Sequence, residues 1–298
     1  MLCNDATMLY VLPQFRFPGK HRHHRHGTSR ARSTTMAMAM PLLLILILAL
    51  GLVAITSVQV QASTQGDHIC QAPGGEVGDY SRRVIDITHA YREDVPRWES
   101  KNGLGKLTGL VQSMADGDDC NVSGLKFDEV HSGTHVDAPG HYVQEHYQAG
   151  LDVASLSLDV LIGPVLLIDA PRDSNLTAQV LQDLHIPPGV ERVIFRTLNS
   201  DRKLMWTQEW DSSYVGFTTD GAEWLVKNTN VKFVGIDYLS IAAYVDIVAA
   251  HRVLLGKKLV IVEGLNLDEV EMGLYTVHCL PLKLLQAEGC PIRCVLST

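Results

Sequence analysis

Residues 131–142 read His131-Ser132-Gly133-Thr134-His135-Val136-Asp137-Ala138-Pro139-Gly140-His141-Tyr142, and no other stretch limits the fold of the chain as strongly. Gly133 and Pro139 rule out a regular helix here, because glycine weakens a helix interior and proline removes a backbone donor. Just ahead, Leu125-Lys126-Phe127-Asp128 alternates apolar and polar residues as a half-buried strand does. The expected structure is a bent loop at a strand's end, where His131, His135, Asp137 and His141 converge on one point. Histidine supplies neutral nitrogen and aspartate supplies charge, a donor set suited to a divalent transition metal.

From Tyr80 onward no repeat, low-complexity segment or linker interrupts the chain, which predicts one domain over 80–298. Strands are expected at Val84–Thr88, Val165–Ile168, Val193–Arg196, Val231–Ile236 and Leu259–Val262. Helical spacing covers Thr177–Leu184, Gly221–Lys227 and Ala249–Leu255. Asp220, with Glu223 three residues on, forms a capping-box-like start for the second of these helices. Such alternation points to an α/β domain with at least partly parallel strands. Two distant residues are candidates to join the loop: His251, at the start of the last helical stretch, and Glu263, at the end of the last strand. A carboxylate ending an apolar strand is costly unless it is paired or bound to a metal. A salt-bridged Glu263 and a capping His251 fit the pattern equally well.

The amino-terminal part has a different character. Met36–Ile55 is an apolar run centred on Leu42–Leu50, with a basic flank before it and Val60-Gln61-Ala62 after it. That is the order of a secretory signal over 36–62, cleaved after Ala62, although a run of this length also suffices for a retained membrane anchor. Residues 1–35 then form a basic, His-rich extension and 63–79 a flexible start of the mature chain. The tract His21–His26 has a metal-binding composition but no apolar surroundings to hold a geometry. Six of the 25 Lys/Arg and one of the 33 Asp/Glu lie in residues 1–62, which leaves 19 basic and 32 acidic residues, a formal charge of −13, on 63–298. A body this acidic argues against a nucleic-acid partner, which requires clustered cations to displace counterions from phosphate. Sequons at Asn121 and Asn175 fit a secretory route. Five cysteines follow Ala62 (Cys70, Cys120, Cys279, Cys290 and Cys294), an odd number that leaves at least one thiol free or shared between chains. Cys290 and Cys294, four apart around Pro291, read as disulfide cysteines or buried small residues.

The run from His131 to His141 resembles the His-x-Gly-Thr-His-x-Asp-x-Pro-x-His signature of the cyclase family, which includes metal-dependent kynurenine formamidases and isatin hydrolase. Every position of the signature is met. Ile85-Asp86-Ile87-Thr88-His89, Gly163–Ile168, Gly235-Ile236-Asp237-Tyr238-Leu239-Ser240 and the segment from His251 to Leu267 are similar to further parts of that family. The signal sequence suggests its secreted plant branch. The resemblance implies an α/β fold, a swivelling β/β/α domain with a small barrel-like core, assembled as a homodimer. It implies one or two divalent ions, Zn or Mn, with His131, His135 and Asp137 as ligands, His251 and Glu263 completing a second metal site or lining the pocket, and His141 as catalytic base. It further implies a small-molecule amide substrate, as in hydrolysis of N-formylkynurenine to kynurenine and formate, and a location outside the cell with no stable membrane association once the signal is removed. One departure stands out: Ile241-Ala242-Ala243 follows Ser240 where many formamidases carry an acidic residue. Trp98, Trp206, Trp210 and Trp224 are candidates for an aryl-binding wall, although core packing suits most of them better. A Ser/His/Asp hydrolase is disfavoured, because no Gly-x-Ser-x-Gly elbow occurs. The rival reading is a secreted, non-catalytic protein that keeps the metal loop.

Overall fold

Residues 83–298 are described by a computed structural model; the expected extension (1–35), signal segment (36–62), mature amino terminus (63–79) and Cys70 lie outside the described residues. In chain order the elements are β1 (Val84–Asp86), β2 (Thr108–Gln112), β3 (Val122–Leu125), β4 (His135–Asp137), α1 (Gln144–Gln148), α2 (Leu158–Leu161), β5 (Ile162–Asp169), α3 (Ala178–Asp183), β6 (Arg192–Arg196), α4 (Leu198–Asp201), α5 (Thr219–Asn228), β7 (Phe233–Ile236), α6 (Ile247–Gly256), β8 (Val260–Glu263), β9 (Gly273–Pro281) and β10 (Gly289–Ser297).

The apolar runs expected as buried strands become β5, β6, β7 and β8, which pair in parallel in that order with helices in the connections. The remaining pairings are antiparallel: β9 joins β5 to β10, β10 joins β4, and β4 joins β8. The sheet therefore closes into a ring of seven strands, β10-β4-β8-β7-β6-β5-β9, with β1 attached to β10. This ring is the barrel-like core that the resemblance implies.

Alternation along each strand sorts the side chains between two cores. Val165, Leu167, Ile194, Phe233, Val260 and Val262 meet Val277, Ile292 and Leu296 inside the ring. Their neighbours Val193, Phe195, Val234, Ile236 and Ile261 point the other way and pack against Leu181 of α3, Leu225 of α5 and Leu254 and Leu255 of α6. Strands buried on both faces read as unbroken apolar runs for this reason. In β4 only Val136 enters the ring interior, so His135 and Asp137 face outward, toward the helical layer.

Several local expectations are corrected. β3 ends at Leu125 and pairs with β2 in a separate two-stranded sheet; Lys126-Phe127-Asp128 leaves the strand, and Phe127 packs edge-on against Tyr91. The cap of α5 is Thr218, whose hydroxyl accepts from Gly221 N–H, whereas the Asp220 carboxylate accepts from Ala178 N–H and so ties α5 to the start of α3. The cysteines follow the expectation: Cys294 is a disulfide cysteine, bonded to Cys279 across the β9–β10 pair, and Cys290 is a buried free thiol, while Cys120 is an exposed one. Among the described residues no helix is long and apolar enough to cross a membrane.

Candidate metal centre

The site lies on the outer face of the ring, where β4 runs beside β8 and below α6. His135 and Glu263 are register partners in the β4–β8 pair, and Asp137 follows two residues after His135 on the same face. α6 brings His251 to this point. It lies inside the helix and not at its start, on the same buried side as Ala250, Leu254 and Leu255. His131 and His141 come from the loops on either side of β4. The loop before β4 depends on Gly133, which has a φ of +59° and would place a Cβ 2.6 Å from the Tyr91 ring. Five of the six residues expected from the sequence thus line one cleft of about 160 Å³, with Trp98, Tyr142, Leu239 and Ile247 on its walls, and the sixth, the fully buried Asp137, lies within 3.7 Å of His131, His135 and His251.

The hydrogen bonds around the rings show what the cluster lacks. His135 gives its Nδ1–H to the Gly133 carbonyl at 3.0 Å. Its Nε2 lone pair then faces Glu263 Oε2 at 3.1 Å and Asp137 Oδ1 at 3.7 Å, and makes no hydrogen bond. His251 likewise gives Nδ1–H to the Ile247 carbonyl at 2.7 Å and turns Nε2 toward Glu263 Oε1 at 3.3 Å and Asp137 Oδ2 at 3.7 Å. Asp137 Oδ2 has no hydrogen-bond partner, and Glu263 Oε1 accepts from Ile241 N–H at 2.6 Å. His135 Nε2 and Asp137 Oδ2 are thereby left without a hydrogen-bond partner, whereas His251 Nε2 is paired with Glu263 Oε1. Buried polar atoms left in this way are costly, and a cation between these two satisfies both.

Two donor sets lie close enough to share one ion each: His135, Asp137 and Glu263, and His131, Asp137 and His141, in each case with ligand atoms within 4.8 Å of one another. Asp137 belongs to both. Nitrogen and carboxylate oxygen at this spacing, buried and partly unsatisfied, fit a divalent transition metal.

The charges are strongly coupled. Burial acts to raise the Asp137 pKa, but the surrounding His141 and His131 hold it far below the usual carboxylate range. Burial acts to lower that of His131, yet the charge and hydrogen bond of Asp137, helped by Glu288, push it up to about 10. His251 is raised in the same sense by Glu263 against the pull of burial. His141 is the opposite case: burial, with the neighbouring His131 and His251 outweighing Asp137, lowers it to about 4. Its ring stacks on His131, with centroids 3.7 Å apart.

Of the four tryptophans, Trp98 alone borders the cleft, with Trp210 edge-on behind it at 5.1 Å. Trp206 stands against His89 and under Arg92, and Trp224 packs on the helical core. Sequence reasoning misses Glu288, whose carboxylate lies 3.2 Å from His131 Nε2. It also misses Tyr142, which stacks on His251 at 4.4 Å. Tyr142 adjoins the signature and was open to view, whereas Glu288 carries no spacing signal.

A closed mixed sheet with a helical layer on its parallel side, and a His/Asp/Glu centre on that side, defines an α/β protein with a candidate metal site. The chain belongs to the Cyclase family ("Putative cyclase"), whose profile matches residues 85–243. It is 54% identical over 222 residues to "Cyclase-like protein 3" of Arabidopsis thaliana, a match covering 74% of this chain and 82% of that one. It is 32% identical over 217 residues to "Kynurenine formamidase" of Erythrobacter litoralis (strain HTCC2594), covering 72% and 94%. Among solved structures it is similar to a "predicted metal-dependent hydrolase from Bacillus stearothermophilus", with a TM-score of 0.59, 27% identity and coverage of 73% and 98%.

Proposed function

We propose that the protein is a metal-dependent amide hydrolase of the arylformamidase type, converting N-formylkynurenine or a related amide or lactam with His141 as base. The observation that carries this reading is the pair of orphaned atoms, His135 Nε2 and Asp137 Oδ2, at the centre of a buried acidic histidine cluster. His131, His135 and Asp137, with His251 and Glu263, would hold one or two zinc or manganese ions. A divalent ion there supplies Lewis acidity and hydroxide at neutral pH.

The protein's own groups account for the rest. His141 is neutral at physiological pH, so its free nitrogen can take the proton of the attacking water and return it to the leaving nitrogen. Water adds across the C–N bond, giving the carboxylate on one side and the amine on the other. Trp98 and Tyr142 offer flat faces to an aryl substituent and narrow the access of bulk water. The similarity to a kynurenine formamidase supports the choice of amide.

The test is to purify the protein with and without zinc or manganese, measure its metal content, and assay N-formylkynurenine together with other aryl formamides. Metal-dependent release of formate is expected. Metal-loaded protein that hydrolyses no such amide would overturn the reading. The proposal extends to secretion, with cleavage after Ala62 and an extracellular, homodimeric product. Amino-terminal sequencing of secreted protein should begin at Ser63, and an intact Met36–Ile55 segment in a membrane fraction would instead establish an anchor.

A further inference from the structure

We infer that Glu288 and Gly289, at the start of β10, position His131 and determine which of its nitrogens faces the ion. This inference rests on the metal centre proposed above. The other two rings show why such a device is needed. His135 and His251 each give Nδ1–H to a backbone carbonyl, of Gly133 and Ile247, so the main chain sets the tautomer and leaves Nε2 facing the carboxylates. Among the described residues no backbone carbonyl does this for His131. Its Nδ1 lies 2.8 Å from Asp137 Oδ1, and its Nε2 lies 3.2 Å from Glu288 Oε1. The ring is thus turned the other way, with Nδ1 inward, and a side chain holds the outer N–H. A carboxylate accepting from one ring nitrogen keeps the proton there and makes the opposite nitrogen the better ligand.

Glu288 is held in place by the same strand that carries Asp137. Its carbonyl accepts from Ala138 N–H at 2.8 Å, and Gly289 is the register partner of Asp137 in the β10–β4 pair. Gly289 contributes by having no side chain. A Cβ at that position would lie 2.7 Å from Nε2 and 2.9 Å from Nδ1 of His131, closer than real Cβ contacts occur, so only glycine leaves the ring where it is. The other face of the ring is covered by His141. His131 is therefore confined between Gly289 and His141, with Asp137 on one nitrogen and Glu288 on the other. Because Glu288 contacts the outer nitrogen, it orients the ligand without occupying the place of the ion.

The experiment compares Glu288→Ala, Glu288→Gln and Gly289→Ala with wild type. Affinity for Zn²⁺ and Mn²⁺ is measured by competition with a chromogenic chelator, and the His131 tautomer by ¹⁵N-resolved NMR. Glu288→Ala is expected to weaken metal binding by roughly 10–100-fold, the usual effect of losing a partner that orients a ligand. Glu288→Gln retains an amide oxygen for the same N–H and should recover most of that loss. Gly289→Ala should weaken binding by displacing the ring. Metal-free Glu288→Ala should melt close to wild type, because the backbone bond to Ala138 is kept; a melting loss shared by both Glu288 variants would indicate a structural role and overturn the inference. Unchanged metal affinity in Glu288→Ala overturns it, and so do equal losses in Glu288→Ala and Glu288→Gln, which would reduce the effect to charge alone. If the wild-type protein binds neither ion, the metal centre itself falls and this inference with it. If wild type and Glu288→Ala bind equally, only the role of Glu288 falls.

Discussion

His135 and His141 lie six residues apart in the signature and differ in what their nitrogens meet. His135 has its outer nitrogen tied to the Gly133 carbonyl and its inner one among carboxylates, whereas His141 stacks on His131 and is kept neutral by burial. His135→Ala is therefore expected to lose bound metal and turnover together. His141→Ala should keep the ion held by His135, Asp137 and Glu263, while turnover falls by roughly 10²–10⁴-fold, the usual contribution of a positioned acid-base group. Elemental analysis of the two folded variants, set beside their rates, checks this; full metal occupancy in His135→Ala would reject its role as a ligand. His89 gives a test that needs no metal. It is 4% exposed, its Nδ1 is unpartnered, and burial lowers its pKa from 6.5 to about 4. The unfolded chain thus binds the proton more readily than the folded one. The stability that depends on neutral His89 is complete above pH 6.5 and is lost as pH falls toward about 4. The loss amounts to at most about 3 kcal/mol. Urea unfolding between pH 7 and pH 4 should show a shallower decline for His89→Leu than for wild type, and parallel declines would exclude His89 as the cause.

At the level of elements, helix starts and strand ends bring the site together. α5 begins at Thr218, whose hydroxyl accepts from Gly221 N–H, and Thr218→Ala should cost about 1 kcal/mol, as loss of an N-cap usually does. Denaturant midpoints measure this, and a change within error would assign the capping to Asp220 after all. The sequence favours Asp220 because the Asp-x-x-Glu pattern is visible, whereas the link from Asp220 to Ala178 of α3 spans 42 residues and leaves no local trace. The same contrast runs through the whole fold. β5, β6, β7 and β8 are legible because both of their faces are buried, which writes them as short apolar runs. β9 and β10 are not, because Pro281, Pro291, His278 and Arg293 break the pattern and their register depends on contacts with distant strands. In the site, His131, His135, Asp137 and His141 are legible because one loop carries them. Glu263 and His251 stand out as polar residues in apolar elements. Glu288 lies 157 residues from the ring it touches and is exposed enough to look like any surface acid.

Over the whole molecule, the step that turns an open sheet into a ring is the pairing of β9 with β10, and the Cys279–Cys294 bond crosses that seam. Removing it frees a chain segment with a sequence separation of 15 residues, and a loop of that size corresponds to about 3 kcal/mol of unfolded-state entropy. Such a bond persists in an oxidising compartment, which agrees with the proposed secretory route. The metal centre lies elsewhere along β10. Gly289, Cys290 and Pro291 pair with β4, whereas Cys294 belongs to the later part of the strand, which pairs with β9. Stability and metal binding are therefore expected to separate. Protein carrying both Cys279→Ala and Cys294→Ala should unfold at a lower urea concentration, by about the 3 kcal/mol above, while its folded fraction keeps the wild-type metal content. An unchanged midpoint would mean that the seam is held by its hydrogen bonds and core contacts alone. Loss of metal from protein that is still folded would mean that closure of the ring at β9 governs the placement of β4, and the separation of the two functions along β10 would fail.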